Sequence, residues 1–264
     1  MPADVSSFDA VTRSLPGGFY TTFRTLGGRS KVVGLASHLD RLYGPSAALR
    51  LRPSVAPAEL CGHLQALLES FPAEEARIRI ILCTADKSGT IYAVLEPLQL
   101  PEPAVYERGV KVITTRAERQ DPLLKYTGFI DESQNERKKL AKYSAFEGLI
   151  VKGGRIYEGL TSNFFYIAGG KLCTERRGVL DGVTRRQVVQ VAPSCRFRIT
   201  YRALRTSEVA TIDEAFITSS SRGIVPVVMI DDKKVGSGRV GEGTICLMHA
   251  YEAAVEQIAE PIVR

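Results

Sequence analysis

The stretch Glu158-Gly-Leu-Thr-Ser-Asn163-Phe-Phe165 decides how this chain is read, together with two later ones: Gly178-Val-Leu-Asp-Gly-Val-Thr-Arg-Arg186 and Thr218-Ser-Ser-Ser-Arg-Gly-Ile-Val-Pro226. The first runs out of a hairpin strand through a polar Thr-Ser turn into the apolar run 163–168. The second opens a helix expected over 184–191, where backbone N–H groups are unshared and the helix dipole is positive. The third is a turn of small hydroxyl residues between strands expected at 214–218 and 225–230. Taken alone, each is ordinary: an exposed hairpin glutamate, a helix start and a loop.

Outward from these stretches, the second half reads as short strands at 149–151, 155–157, 163–168 and 171–173, joined by Gly153-Gly154 and Gly169-Gly170 turns. A charged helix is expected at 131–145, a strand at 197–201 and a last helix at 242–258. In the first half, the runs 18–26 and 31–35 flank Gly27-Gly28 as a hairpin. Ser37 is read as the N-cap of a helix with Leu39, Leu42, Tyr43 and Ala47 on one face. Pro57 opens a second helix with Leu60, Leu64, Leu67 and Leu68 at helical spacing. Strands at 77–84, 90–98 and 110–115 follow. The polar stretch Thr115-Arg-Ala-Glu-Arg-Gln-Asp-Pro122 marks a boundary, so the expected organisation is 1–116, a linker at 117–124, and 125–264: an α+β chain of two domains.

The 264 residues are 44% hydrophobic and 24% charged. That is the balance of a folded protein and not of a disordered one. No run of about 18 apolar residues could span a membrane. The opening Met-Pro-Ala-Asp-Val-Ser-Ser has no basic segment leading into an apolar one, so no secretory signal is expected. Five scattered cysteines form neither a disulfide framework nor a CxxC knuckle, and a reducing, cytoplasmic location is expected. The net charge of +6 is dispersed over small groups such as Arg137-Lys138-Lys139. It reads as a solvated surface and not a nucleic-acid footprint. His38 reads as structural, and His63 and His249 have no partners at metal-ligand spacing, so no metal site is expected.

Gly236-Ser-Gly238-Arg-Val-Gly241 spells GxGxxG. Dinucleotide binding requires those glycines within a βαβ unit, with an acidic residue about 20 positions on. Only a terminal helix follows here, so the run is read as a turn before that helix.

Read together, Glu158-Gly-x-x-Ser162-Asn163-x-Phe165, Gly182-Val-Thr-Arg185, the hydroxyl-rich turn before Pro226 and His38-x-x-Arg41-Leu42 resemble the fold-type-IV (class IV) pyridoxal-phosphate enzymes, in the family's order and spacing from about Gly17 onward. That family includes branched-chain aminotransferases, D-amino-acid aminotransferases and aminodeoxychorismate lyase. The resemblance implies a small α/β N-terminal domain and a larger C-terminal domain with a mixed, barrel-like sheet and helices. It also implies pyridoxal 5′-phosphate as cofactor, a homodimer, and small-molecule amino and 2-oxo acids as partners.

By the same resemblance, Lys125 is the Schiff-base lysine, whose freed amine shuttles a proton. Glu158 partners the pyridine nitrogen, and Asn163 follows it at the family spacing. Val183 and Thr184 receive the phosphate at a helix N-terminus. Ser219 and Ser220 form a second phosphate turn, and Arg41 clamps the phosphate with its guanidinium fork. Branched-chain members carry a tyrosine five residues after the lysine. This chain has Ile130 there, with Tyr126 out of register. Tyr20-Thr-Thr-Phe-Arg24 matches the family's substrate-side strand. Read as TTxR it is similar to the lyase, and read as YxxxR to the D-amino-acid enzymes, with Tyr20 and Arg24 as candidates for a substrate carboxylate. The expected activity is transfer of an amino group between an amino acid (branched-chain or D) and a 2-oxo acid. The alternative is cleavage of aminodeoxychorismate to 4-aminobenzoate and pyruvate.

Overall fold

The computed structural model describes residues 7–263. Helix α1 (Phe8–Arg13) is capped by the Ser7 hydroxyl, which accepts from the Ala10 amide. It leads into β1 (Gly18–Leu26), whose side chains alternate strictly between two faces. Phe19, Thr21 and Phe23 point one way, Tyr20, Thr22 and Arg24 the other. Beyond the Gly27-Gly28 turn come β2 (Lys31–Val32), α2 (Leu35–Ala48), α3 (Pro57–Glu69), β3 (Ala76–Cys83) and β4 (Ile91–Pro97).

These strands form an antiparallel sheet in the order β15-β2-β1-β3-β4, in which β15 is Glu260–Pro261 near the C-terminus. One face of this sheet supplies Phe19, Phe23, Ile78, Ile80 and Leu82. They pack with Leu42 of α2 and with Leu60, Leu64 and Leu68 of α3 in one apolar cluster. The i, i+4 spacing of those leucines is what turns one stripe of α3 toward the sheet; Leu67, off that stripe, is 44% exposed.

Helix α2 starts earlier than Ser37 foretold. Gly34 takes the N-cap position at φ 66°, ψ 41°, with no side-chain cap bond, so Ser37 lies inside the first turn. A left-handed residue costs glycine little, and it lets the chain turn directly out of a two-residue strand. The buried face is Leu35, His38, Leu42 and Ser46, and Ala47 lies outside it.

The remainder follows as α4 (Pro103–Arg108), β5 (Val110–Thr115), α5 (Gly128–Glu132), α6 (Gln134–Lys142), β6 (Glu147–Lys152), β7 (Arg155–Gly159), β8 (Asn163–Ala168), β9 (Lys171–Thr174), α7 (Val183–Val191), β10 (Arg198–Tyr201), β11 (Leu204–Arg205), β12 (Glu214–Ser219), β13 (Gly223–Ile230), β14 (Lys233–Lys234) and α8 (Glu242–Ile258). The helix expected over 131–145 is therefore two, separated at Ser133. Its hydroxyl accepts from Arg137 Nε at 2.9 Å.

Strands β8, β12, β13, β5, β6 and β7 pair in that order, and β7 pairs again with β8. The result is a closed six-stranded barrel, mixed because β13–β5 and β5–β6 run parallel. Val112, Leu149, Ile156, Phe164, Tyr166, Ile217 and Val225 belong to its core cluster. The pair that closes the ring is Glu158 with Asn163.

Two compact units result: residues 7–99 with 124–131 and 258–263, and residues 100–123 with 132–257. Residues 100–116, read from sequence with the first domain, group with the barrel because β5 is one of its staves. Residues 124–131 group with the first unit, because the chain around Lys125 bonds to β1 (below).

The cysteines depart from expectation. Cys195, in a 3-10 turn, is disulfide-bonded to Cys246 on α8, with Cα atoms 6.0 Å apart and 51 residues between them in sequence. Neither parity nor spacing marks that pair; the fold juxtaposes them. Cys61, Cys83 and Cys173 are free and buried. In the GxGxxG run, Gly236 (φ 51°) and Gly238 (φ 75°) are left-handed turn residues between β14 and α8.

Candidate active site

In the first unit, Lys125 lies on a segment stitched to the start of β1. The Tyr20 amide donates to the Lys125 carbonyl at 2.9 Å and the Thr127 amide to the Gly18 carbonyl at 2.9 Å. Thr127 Oγ1 accepts from the Gly18 amide at 2.9 Å. Lys125 is half-buried, and its Nζ lies 5.1 Å from the centroid of the Tyr20 ring. Tyr20 is itself buried, at 5% exposure, and Arg24 lies four residues on along the same face.

The same face carries an arginine that the sequence reading missed. Arg79 of β3 is buried, with its guanidinium carbon 5.1 Å from the centroid of the Tyr20 ring. Its Nε donates to Thr22 Oγ1 at 3.1 Å and its Nη1 to Asp9 Oδ1 at 2.7 Å and Thr12 Oγ1 at 2.9 Å. A buried cation needs such a counter-charge. The signal was present: Arg77-Ile-Arg79-Ile80 alternates with period 2, and one phase of a strand shares a face. Beside Tyr20, burial pushes the Cys83 thiol up to about 11. It is therefore protonated at neutral pH and a poor nucleophile.

Arg41 is half-buried on α2. His38, one turn earlier, is fully buried, with Nδ1 2.6 Å from Thr21 Oγ1 and its ring against Phe23, the structural role read for it. Ile130, where branched-chain members place a tyrosine, is 1% exposed and packs in the cluster of Tyr20 and Ile81. Tyr126 is turned to an edge contact with Phe19, centroids 5.9 Å apart.

In the second unit the barrel-closing pair is also the centre of a buried polar cluster. Glu158 is 2% exposed. Its Oε1 accepts from Arg119 Nε at 2.9 Å; its Oε2 accepts from Asn163 Nδ2 at 3.3 Å and the Leu180 amide at 3.0 Å. Asn163 also donates to the Leu180 carbonyl at 2.7 Å. The strand pairing thus aims both side chains at the loop that leads into α7. Arg119, which compensates the carboxylate and donates to the Leu160 carbonyl at 3.2 Å, was also missed. In the polar stretch 115–122 nothing distinguishes it from a solvent-facing arginine. A cavity of about 330 Å³ opens on this ion pair, walled by Ile150, Tyr157 and Arg177 among others.

Helix α7 starts at Val183 with Gly182 as its N-cap and no side-chain cap bond. Val183 and Thr184 are buried. A Cβ on Gly182 would come 2.1 Å from Asn163 Oδ1, so this approach demands glycine. Arg185, next on the helix, bonds to the Glu175 carbonyl at 2.8 Å; burial drives its pKa below the usual guanidinium value, against the opposing charge of Asp181. On the neighbouring strand, Thr218 pairs directly with Asn163 in the β12–β8 register. Its Oγ1 is buried without a hydrogen-bond partner. Ser219 and Ser220 follow it, half-buried, in the turn to β13.

The fold and these groups define a class: a two-unit α+β enzyme with a closed mixed barrel bearing a compensated carboxylate and an uncapped helix start. The amino-transferase class IV family profile matches residues 18–230, and the chain belongs to that family. It is 30% identical to the "Probable branched-chain-amino-acid aminotransferase" of Thermotoga maritima over 96% of this chain and 92% of that one. It is 26% identical to the D-alanine aminotransferase of Bacillus licheniformis (90% and 87%) and 25% identical to the aminodeoxychorismate lyase of Bacillus subtilis (91% and 86%). Its fold matches the crystal structure of the Escherichia coli branched-chain amino acid aminotransferase with a TM-score of 0.80 at 20% identity, over 90% and 85% of the two chains.

The cofactor of this family is pyridoxal 5′-phosphate, and the residues present fit it. The helix start lacks a side-chain cap, and the Thr218 hydroxyl is a buried polar group lacking a partner, which a bound polar group would satisfy.

Proposed function

We propose that this protein is a pyridoxal-phosphate-dependent aminotransferase that moves an amino group between an amino acid, branched-chain or D, and a 2-oxo acid. The observation that carries the reading is Glu158. A carboxylate buried at the barrel's closing pair, with Arg119 as counter-charge and Asn163 and the Leu180 amide as donors, stands ready to meet a protonated ring nitrogen. When bound, the cofactor supplies an electron sink for the substrate's Cα. Glu158 holds the proton at its ring nitrogen. Val183, Thr184, Ser219, Ser220 and Arg41 bind its phosphate. Lys125 carries the cofactor and moves the proton at Cα through Nζ. Tyr20 and Arg24 orient the substrate carboxylate.

A second reading, aminodeoxychorismate lyase, rests on Thr21-Thr22-Phe23-Arg24. Of the two threonines only Thr22 shares the Tyr20 face, and its hydroxyl accepts from Arg79; Thr21 is committed to His38.

The experiment is a near-ultraviolet and visible spectrum of the purified protein with L-leucine, L-glutamate or D-alanine added in turn, followed by product analysis with a 2-oxo acid acceptor. Conversion of the cofactor band by an amino acid, with the matching new amino acid formed, is the expected result and names the donor. Release of 4-aminobenzoate and pyruvate from aminodeoxychorismate without any acceptor selects the lyase instead.

A further inference from the structure

Arg222, in the turn between β12 and β13, belongs to none of the groups assigned above, yet it joins two of them. Its Nε donates to Ser219 Oγ at 3.0 Å. Its Nη2 donates to Thr161 Oγ1 at 2.7 Å and to Glu147 Oε2 at 3.3 Å. Glu147 is 2% exposed, and its carboxylate also accepts from the hydroxyls of Thr161 and Ser162 and from the Gly148 amide. Beneath the guanidinium lies the Phe146 ring, 5.3 Å from its centroid. One fork thus spans from the Ser219 turn to the Thr161-Ser162 turn that separates Glu158 from Asn163, with a buried carboxylate holding it in place.

The direction of the Ser219 bond has a chemical consequence. A hydroxyl has one hydrogen and two lone pairs. Because Ser219 Oγ accepts from Arg222, its own hydrogen is turned away from the arginine, and it has no acceptor among the described residues. An oriented donor hydroxyl beside a guanidinium suits a phosphate dianion. We propose that Arg222 is a positioning residue for the cofactor phosphate: held by Glu147, its guanidinium orients the Ser219 hydroxyl as a phosphate donor. This rests on the assignment of Ser219 to the phosphate.

The test compares two probes, pyridoxal 5′-phosphate and pyridoxal, titrated into the cofactor-stripped full-length protein. The variants are Arg222→Ala, Arg222→Lys, Ser219→Ala and Arg222→Ala with Ser219→Ala. Losing one charge-assisted hydrogen bond weakens binding on the order of tenfold. The expected result is that loss for the phosphorylated probe and no change for pyridoxal in Arg222→Ala. Arg222→Lys, which keeps the charge over Glu147 but not the fork, shows the same selective loss if Arg222→Ala does not fold. The double variant is no worse than Ser219→Ala alone, because both changes remove one interaction. Equal weakening of both probes, or additive losses in the double variant, overturns the proposal. A parent protein that binds neither probe overturns the cofactor reading instead.

Discussion

Under the proposed function Glu158 and Lys125 carry the chemistry, and each makes a separate prediction. Lys125→Ala is expected to abolish turnover while leaving at most non-covalent cofactor, measured by amino-acid product and by retention of cofactor through denaturing gel filtration after borohydride reduction, which fixes a lysine imine as a stable secondary amine. Glu158→Gln keeps the shape of the buried site but removes the charge opposite Arg119. It should lower kcat on the order of a hundredfold, the scale of losing one preorganised electrostatic partner, with little change in affinity for the phosphate end. A kcat equal to the parent's would take Glu158 out of the ring-nitrogen role. The motif residues at this scale could be singled out in the sequence because they stand in the order and spacing of a known family. Arg119 and Arg79 were not read, although both are buried beside assigned residues. Arg79 was open to strand alternation; Arg119 could be recognised only once the chain had folded it onto Glu158.

At the scale of elements, the long periodic segments were readable and the short ones were not. Helix α8 and strands β1, β5 and β8 fall at the residues expected, since hydrophobic periodicity over six or more residues reports a face directly. Two-residue strands such as β2, β14 and β15 carry no period and exist only through their partners. The Ser37 cap failed because a left-handed Gly34 ended the turn first.

Two stability predictions belong here. Leu64→Ala on α3, fully buried between helix and sheet, should cost about 2–5 kcal/mol in chemical denaturation, whereas Leu67→Ala, at 44% exposure, should cost well under 1 kcal/mol by the usual scale of surface changes. Opening the 51-residue loop with Cys195→Ser and Cys246→Ser should lower stability by about 2–4 kcal/mol, seen as a lower midpoint with an intact barrel spectrum. A midpoint unchanged from the parent, in oxidised protein, would mean that this bridge adds nothing to the fold.

For the whole molecule, the family resemblance implies two copies, so light scattering should give about twice the 28.9 kDa chain mass. A monomer with full transaminase activity would show that one copy suffices. No described helix is long and apolar enough to cross a membrane.

By itself the sequence determined the order of the motifs, the family they resemble and much of the alternation of strands and helices, because these depend on residue spacing and local periodicity. Tertiary structure alone decided that β5 belongs to the barrel and residues 124–131 to the other unit. It alone decided that Cys195 meets Cys246, that Arg119 compensates Glu158, and that Arg222 reaches from Ser219 to Glu147. Each of these joins residues far apart in sequence. Their proximity follows from how the strands close into a ring and bury charge only where a counter-charge arrives, and no local pattern along the chain encodes it.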